Sequence, residues 1–240
     1  MRLPRTIKPC PILEAIVEVR FEPDIPEEAV FGIVYQSFKK DYNHVQVENL
    51  PILQVPEAVL RKDPNLKYKP HYRLQRNGLI LGLGPRVWSL SNASGYLGWA
   101  KYSEALLDTI DRISSASIMK APLRFGLRYI NAFDDDIFDN ITLKVSHDDG
   151  PFSCDQLAIR AQVPTGDFTT TLQISNRASF KSNGGQNVGS VIDLDIWTES
   201  EVEKLLTGPR EFIEKSHAEE KKLFFSLLTE EFLASLNPEY

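Results

Sequence analysis

The residues best equipped for chemistry lie between Arg61 and Arg76. This stretch holds Arg61, Lys62, Lys67, Lys69, Arg73 and Arg76 against a single acid, Asp63, with Tyr68, His71 and Tyr72 interleaved. Cationic side chains attract phosphate or carboxylate groups, and aromatic faces stack on exposed bases. The combination suits single-stranded nucleic acid or an acidic protein partner, with Arg61, Lys67, Lys69, His71, Tyr72, Arg73 and Arg76 as the contact residues. The same composition also describes a solvated loop and hairpin edge, because lysines protect edge strands from unwanted pairing. Further on, Arg124 and Arg128 share one face of an alternating segment, a spacing that lets two guanidiniums clamp a phosphate or carboxylate. The competing reading is ion pairing with Glu14 and Glu18, which share a strand face at the same interval.

Other constellations are weaker. Gly82-Leu83-Gly84-Pro85-Arg86 lacks the Gly-Lys-Ser/Thr ending of a phosphate-cradling loop and sits inside an expected strand, so a bulge or close backbone packing against Trp88 is the better reading. Asp134, Asp135, Asp136 and Asp139 do not follow the spacing of a calcium loop, and like-charge runs are usually solvated. Asp193 and Asp195 share a strand face, as do Glu14 and Glu18, but alternation produces such pairs on any water-facing strand. His44, His71, His147 and His217 show no paired metal spacing. No nucleophile elbow surrounds any serine, and neither Cys10 nor Cys154 carries a nucleophile signature. No catalytic residue, metal set or cofactor motif is expected.

The elements that must carry these residues are legible in the periodicity. Residues 12–21 alternate, with Leu13, Ala15, Val17, Val19 and Phe21 on one face, as a strand half-buried on a core requires. Asp24 and Pro26 open a helix to about Lys40. Between Val45 and Pro70, four prolines predict turns and extended pieces. His71–Gln75 and Leu79–Ser91 read as strands joined by a tight turn at Asn77-Gly78. Trp99, Tyr102, Leu106, Ile110 and Ile113 mark a helix over roughly 97–118, ended near Pro122, with a strand at 123–133. Ile141–Ser146 reads as a further strand. Residues 157–163, 169–175 and 190–197 alternate again, as an antiparallel meander does, with a long mobile loop at Asn176–Asn187. Thr198 heads a capping-box pattern, and Thr229 is placed to cap a last short helix.

Composition sets the outer bounds. Among 240 residues, 42% are hydrophobic and 25% charged, which is enough to build a sizeable core. The formal net charge of −6 argues against general nucleic-acid binding by bulk electrostatics. Two distant cysteines make no disulfide framework and fit a reduced, cytoplasmic setting. No apolar run reaches the roughly 20 residues of a membrane span.

Three segments carry a resemblance: Pro11-Ile12-Leu13-Glu14-Ala15-Ile16-Val17-Glu18-Val19-Arg20-Phe21, Gly98-Trp99-Ala100-Lys101-Tyr102, and Gly126-Leu127-Arg128-Tyr129-Ile130-Asn131. With the tail His217–Leu228, they resemble a sporadically distributed bacterial family of roughly 250-residue proteins with no assigned function. The resemblance covers nearly the whole chain and implies patchy occurrence, as in accessory genes of mobile or defence loci.

The expectation is therefore an α+β protein with two similar halves of antiparallel sheet, each covered on one face by helices. The halves span residues 1–135 and 136–240, or merge into one compact domain. The expected function is a non-enzymatic interaction module with a protein partner, an accessory to an effector in a bacterial defence or toxin–antitoxin type system, with homo-oligomerisation open. The alternative is a nucleic-acid-binding or phosphate-directed protein built on residues 61–76 with Arg124 and Arg128.

Overall fold

The computed structural model describes residues 3–40, 47–93, 95–148, 150–151, 155–182 and 185–240. Helix and strand alternate irregularly along the chain. The order is β1 (Ile12–Pro23), α1 (Glu27–Phe38), β2 (Glu48–Asn49), α2 (Glu57–Lys62), α3 (Pro64–Lys67), β3 (Tyr72–Arg76), β4 (Leu79–Gly84), β5 (Val87–Asn92) and α4 (Trp99–Ser115). There follow β6 (Met119–Phe133), β7 (Ser146–His147), β8 (Gly150–Pro151), β9 (Ala158–Thr165), β10 (Phe168–Ser182), β11 (Gly185–Thr198), α5 (Lys204–Thr207), α6 (Pro209–Leu227) and α7 (Glu230–Ser235). Nine strands form one large antiparallel sheet in the order β2-β3-β4-β5-β1-β6-β11-β10-β9, with β7 and β8 as a separate pair. The protein is thus α+β.

Residue contacts divide the chain into two compact units. One comprises Met1–Leu13, Arg128–Ile196 and Lys215–Tyr240; the other comprises Glu14–Leu127 and Trp197–Glu214. Three strands pass from one unit to the other along the chain: β1 at Leu13/Glu14, β6 at Leu127/Arg128 and β11 at Ile196/Trp197.

In the Glu14–Leu127 unit the alternation of β1 is realised as expected: Ala15, Val17, Val19 and Phe21 are fully buried. They share a core with Leu81 and Leu83 of β4, Trp88 and Leu90 of β5, and the apolar stripes of α1 and α4. The Asn77-Gly78 turn joins β3 to β4 with both residues at positive φ (49° and 78°), the geometry whose twist matches that of paired strands. The expected strand 79–91 is two strands, β4 and β5, folded back at Pro85-Arg86 and paired Leu81↔Leu90. Gly82 and Gly84 do mark a close approach, but to Lys69 and Pro70: a Cβ on Gly84 would lie 2.6 Å from the Lys69 carbonyl oxygen.

In the other unit a cluster of buried side chains gathers Ile137, Ile141, Leu172, Ile174, Ile192 and Leu194 against Phe224, Phe225 and Leu228. The meander β9-β10-β11 forms as its periodicity requires. The segment Asn176–Asn187, read as a long loop from its small polar residues, is instead the far ends of β10 and β11, apart from residues 183–184, which lie outside the described residues. Cross-strand pairing supplies there what composition does not. Pro122, expected to end a connection, lies within β6. Asp24 does not cap α1, which opens at Pro26 without a side-chain cap. The Thr198 pattern makes a local turn, accepting from the Ser200 amide at 3.1 Å, and the next helix begins only at Lys204. Thr229 does cap α7, accepting from Phe232 N. Ile141 forms an isolated bridge to Leu228 instead of starting a strand.

Gly189 on β11 leaves no room for a side chain: a Cβ there would sit 2.3 Å from the Phe133 carbonyl oxygen. Gly189→Ala is expected to destabilise by about 2–3 kcal/mol, since backbone rather than a flexible side chain must move. Gly32 in α1 has nothing within 4 Å of that position, so Gly32→Ala should stabilise by up to ~1 kcal/mol. Urea midpoints of the two variants should therefore move in opposite directions; a shared direction would contradict the packing described.

Candidate functional site

The basic-aromatic segment does not stay together as a surface. Lys67, His71 and Tyr72 line a cavity of about 630 Å³ in the Glu14–Leu127 unit, and Arg73 and Arg76 do not. Two walls of the cavity are set by rigid elements. Phe31 comes from α1, and His71 and Tyr72 come from the start of β3, which Tyr72↔Leu83 pairing fixes against β4. The remaining wall is built by Leu53 of the 3-10 turn Pro51–Gln54, Leu60 of α2, and Leu66 and Lys67 of α3. The volume falls within the range of small-ligand and side-chain pockets.

The lining is mixed: Phe31, Leu53, Leu60, Leu66 and Pro85 share it with Glu27, Glu28, Lys67, His71 and Arg86. Tyr72 stacks on Phe31 with centroids 3.9 Å apart, and Phe31 in turn lies 5.7 Å from Tyr35. Leu53 remains 40% exposed at the side of the cavity. Arg86 donates from Nε (3.0 Å) and Nη2 (2.7 Å) to one oxygen of Glu27, so those two charges compensate each other. Among the described residues the His71 ring has no hydrogen-bond partner. Burial lowers its pKa from the ordinary value, the nearby Glu27 charge opposing this without prevailing. Its imidazole is therefore neutral at pH 7, with one nitrogen a donor and the other an acceptor. The Lys67 ammonium lies over the Tyr68 ring at 5.1 Å, with no carboxylate within ion-pair reach among the described residues.

The other residues expected to bind lie elsewhere. Arg73 is half exposed and 3.9 Å from Glu48. Arg76 lines a separate cavity of about 190 Å³ with Phe38, Asp108 and Arg112. The Lys69 side chain is exposed. The side chain of Arg61 and the whole of Cys154 lie outside the described residues. Arg124 meets Glu18 at 3.5 Å and lies over the Trp197 ring at 5.3 Å, so ion pairing with β1 holds for this arginine. Arg128 forks onto Asp193 of β11, with Nε at 2.7 Å from Oδ1. Gln173 adds a longer donor to the same carboxylate at 3.4 Å. Asn131 donates to the Ile192 carbonyl. Both arginines thus hold charges within the fold.

Among the described residues no group of three or more His, Cys, Asp or Glu side chains is placed to hold a metal ion, and no helix is long and apolar enough to cross a membrane.

Sequence reasoning missed Phe31, Leu53, Leu60 and Arg86, whose contribution arises only when α1, α2 and the β4–β5 turn fold around β3. It also missed two polar residues of α6, the partly buried His217 and the buried Glu220. His217 Nδ1 lies 3.2 Å from the Tyr129 hydroxyl, and one turn further Glu220 is only 5% exposed, with no hydrogen-bond partner among the described residues. Burial, helped by the Lys221 charge, lowers the His217 pKa to about 3. Burial raises that of Glu220 to about 8, against a smaller opposing pull from Lys221. At neutral pH the folded protein therefore holds an uncharged imidazole and a mostly protonated carboxyl there.

No protein-family model matches the chain, and no curated protein matches it.

Proposed function

We propose that the chain is a binding module whose recognition site is the cavity between α1, β3 and the Pro51–Lys67 segment, and that its occupant is an apolar segment of a protein partner. The observation that carries this reading is the lining: Phe31, Leu60, Leu66 and Tyr72 around about 630 Å³, with Leu53 left 40% exposed at its side. Filling such a site with one or two apolar side chains removes apolar area from water on both partners. The alternative, a nucleic-acid or phosphate binder, is less well supported. Tyr68 carries both Lys67 and Arg20 at about 5 Å, so its ring is engaged within the fold. Base stacking needs open aromatic faces.

Leu53→Asp and Leu60→Asp place a carboxylate where the partner's apolar group would sit. Each is expected to weaken partner capture by about 10- to 100-fold while leaving the circular dichroism spectrum unchanged. Capture that survives both substitutions would sink the reading. Binding to single-stranded DNA or RNA that falls steeply with salt, and is lost in Arg73→Ala and Arg76→Ala, would favour the alternative. A reducing, cytoplasmic setting belongs to the same proposal, as does an ancestral duplication into two similar halves with helices over one face of each. What supports the duplication is that each unit contains strands with alternating buried residues.

A further inference from the structure

We infer that the chain self-associates through the outer edge of β9, two copies pairing antiparallel about a two-fold axis at Ala161. β9 is the last strand of the nine-stranded order: β10 pairs with one of its edges, and among the described residues no strand pairs with the other. The hairpin decides which backbone groups that open edge presents. Thr165 lies opposite Phe168 across the two-residue turn Gly166-Asp167, with Gly166 at φ 60°, the form of a tight hairpin whose closing pair exchanges hydrogen bonds. Thr165, Val163, Ala161 and Ile159 therefore bond to β10, while Ala158, Arg160, Gln162 and Pro164 turn their backbone polar groups outward. Pro164 agrees with this assignment, because a residue without an N–H fits a ladder only with its nitrogen on the open side.

The side chains of β9 select a second copy as the occupant of this edge. Ile159, Ala161 and Val163 lie opposite Ile174, Leu172 and Thr170, which are buried, yet the three β9 residues are only partly buried. An antiparallel pair centred on Ala161 sets Ile159 of each copy beside Val163 of the other and Ala161 beside itself, which extends that row. On the opposite face Arg160 meets Gln162, so no like charges oppose each other, and the outward backbone groups of both residues are paired. The neighbouring symmetric registers that join outward groups are worse. Centring on Arg160 sets two guanidiniums face to face. Centring on Gln162 carries Ala158 past the end of the other copy's strand and forms fewer bonds. A charge and a proline on an edge strand discourage most pairings; on β9 they leave one self-complementary register open.

Sedimentation velocity tests this directly. A strand pair lies at the small end of stable interfaces, so a dimer with a Kd on the order of 1–50 µM is expected. Gln162→Pro removes an outward donor and leaves the ladder with β10 untouched. It should weaken dimerisation at least about 30-fold without changing the circular dichroism spectrum or lowering the thermal midpoint. Cysteine cross-linking in a Cys10→Ser, Cys154→Ser background reads the register. Ala161→Cys should oxidise to a linked dimer at least about tenfold faster than Arg160→Cys or Gln162→Cys, since non-hydrogen-bonded partners bring their Cα atoms to about 4.5 Å. A chain that stays monomeric up to about 200 µM would overturn the inference. So would a dimer that survives Gln162→Pro, or one that cross-links equally at all three positions.

Discussion

Glu220→Gln is expected to stabilise the protein at pH 9 by on the order of 4 kcal/mol and to change little at pH 5. The native carboxyl titrates at about 8 against 4.5 for an exposed glutamate, because burial opposes its charge. A group whose folded pKa is raised contributes stability that is fully present below 4.5. That stability is lost as pH rises through 8, by about 1.4 kcal/mol per unit. Glutamine mimics the protonated form and removes the loss. His217 works in the opposite sense. Its folded pKa, lowered to about 3 from 6.5, contributes stability that is present above 6.5 and lost as pH falls toward 3. Between pH 4.5 and 6.5 the two slopes cancel, leaving a plateau; above it Glu220 dominates and below it His217 does. Urea unfolding from pH 4 to 9 reads this directly. A wild-type profile that keeps rising from pH 6.5 to 9, or a Glu220→Gln variant that follows the wild type at pH 9, would contradict the burial of this carboxyl.

Tyr102→Ala should cost about 3–5 kcal/mol, the largest loss among the core substitutions considered. Tyr102 is fully buried on α4, and its hydroxyl reaches the backbone carbonyls of Leu90 (2.6 Å) and Ala15 (3.2 Å), tying the helix to β5 and β1. Burial holds the phenol protonated well beyond its usual range, so the bond persists across the working pH. Tyr102→Phe isolates the polar part: it keeps the ring and loses the donor, for an expected cost of about 1–2 kcal/mol. The difference between the two variants measures packing. A Tyr102→Phe variant as destabilised as Tyr102→Ala would mean the ring contributes nothing, which its burial contradicts.

Period was a reliable guide wherever one face of an element is buried. Residues 12–21 showed their inward set because each second side chain meets the same core, and Asn77-Gly78 announced its turn because few dipeptides tolerate two positive φ values. Composition misled wherever pairing was decided at a distance. Residues 176–187 read as loop because glycine, serine and asparagine are poor strand formers alone, yet β10 and β11 continue through most of them. The candidate cavity was half legible. Lys67, His71 and Tyr72 stood out by type, but what they face depends on how Phe31, Leu53 and Leu60 fold around β3, so a segment read as an open basic surface became part of a mixed apolar and charged lining. Glu220 was hidden in the charged run Glu214–Lys222. The signal that exposes it is spacing: Ser216, Glu220, Phe224 and Leu227 fall at intervals of four, four and three, all buried, so the glutamate occupies a core position of an otherwise polar helix.

The way the core of one unit is gathered also has a consequence for how the chain is made. Ile7 packs in the same cluster as Phe224, Phe225, Leu228 and Leu236, and Thr6 bridges Glu239. On the ribosome, the segment bearing Ile7 emerges more than 200 residues before its partners, which at roughly 5–20 residues per second is a wait of about ten to forty seconds. The apolar face of Ile192 and Leu194 has no α6 to cover it until roughly 30 further residues have emerged, about two to six seconds at the same rate. This unit therefore closes only once the segment Phe224–Leu236 has emerged, and chaperones that shield nascent apolar surface have their opportunity before then.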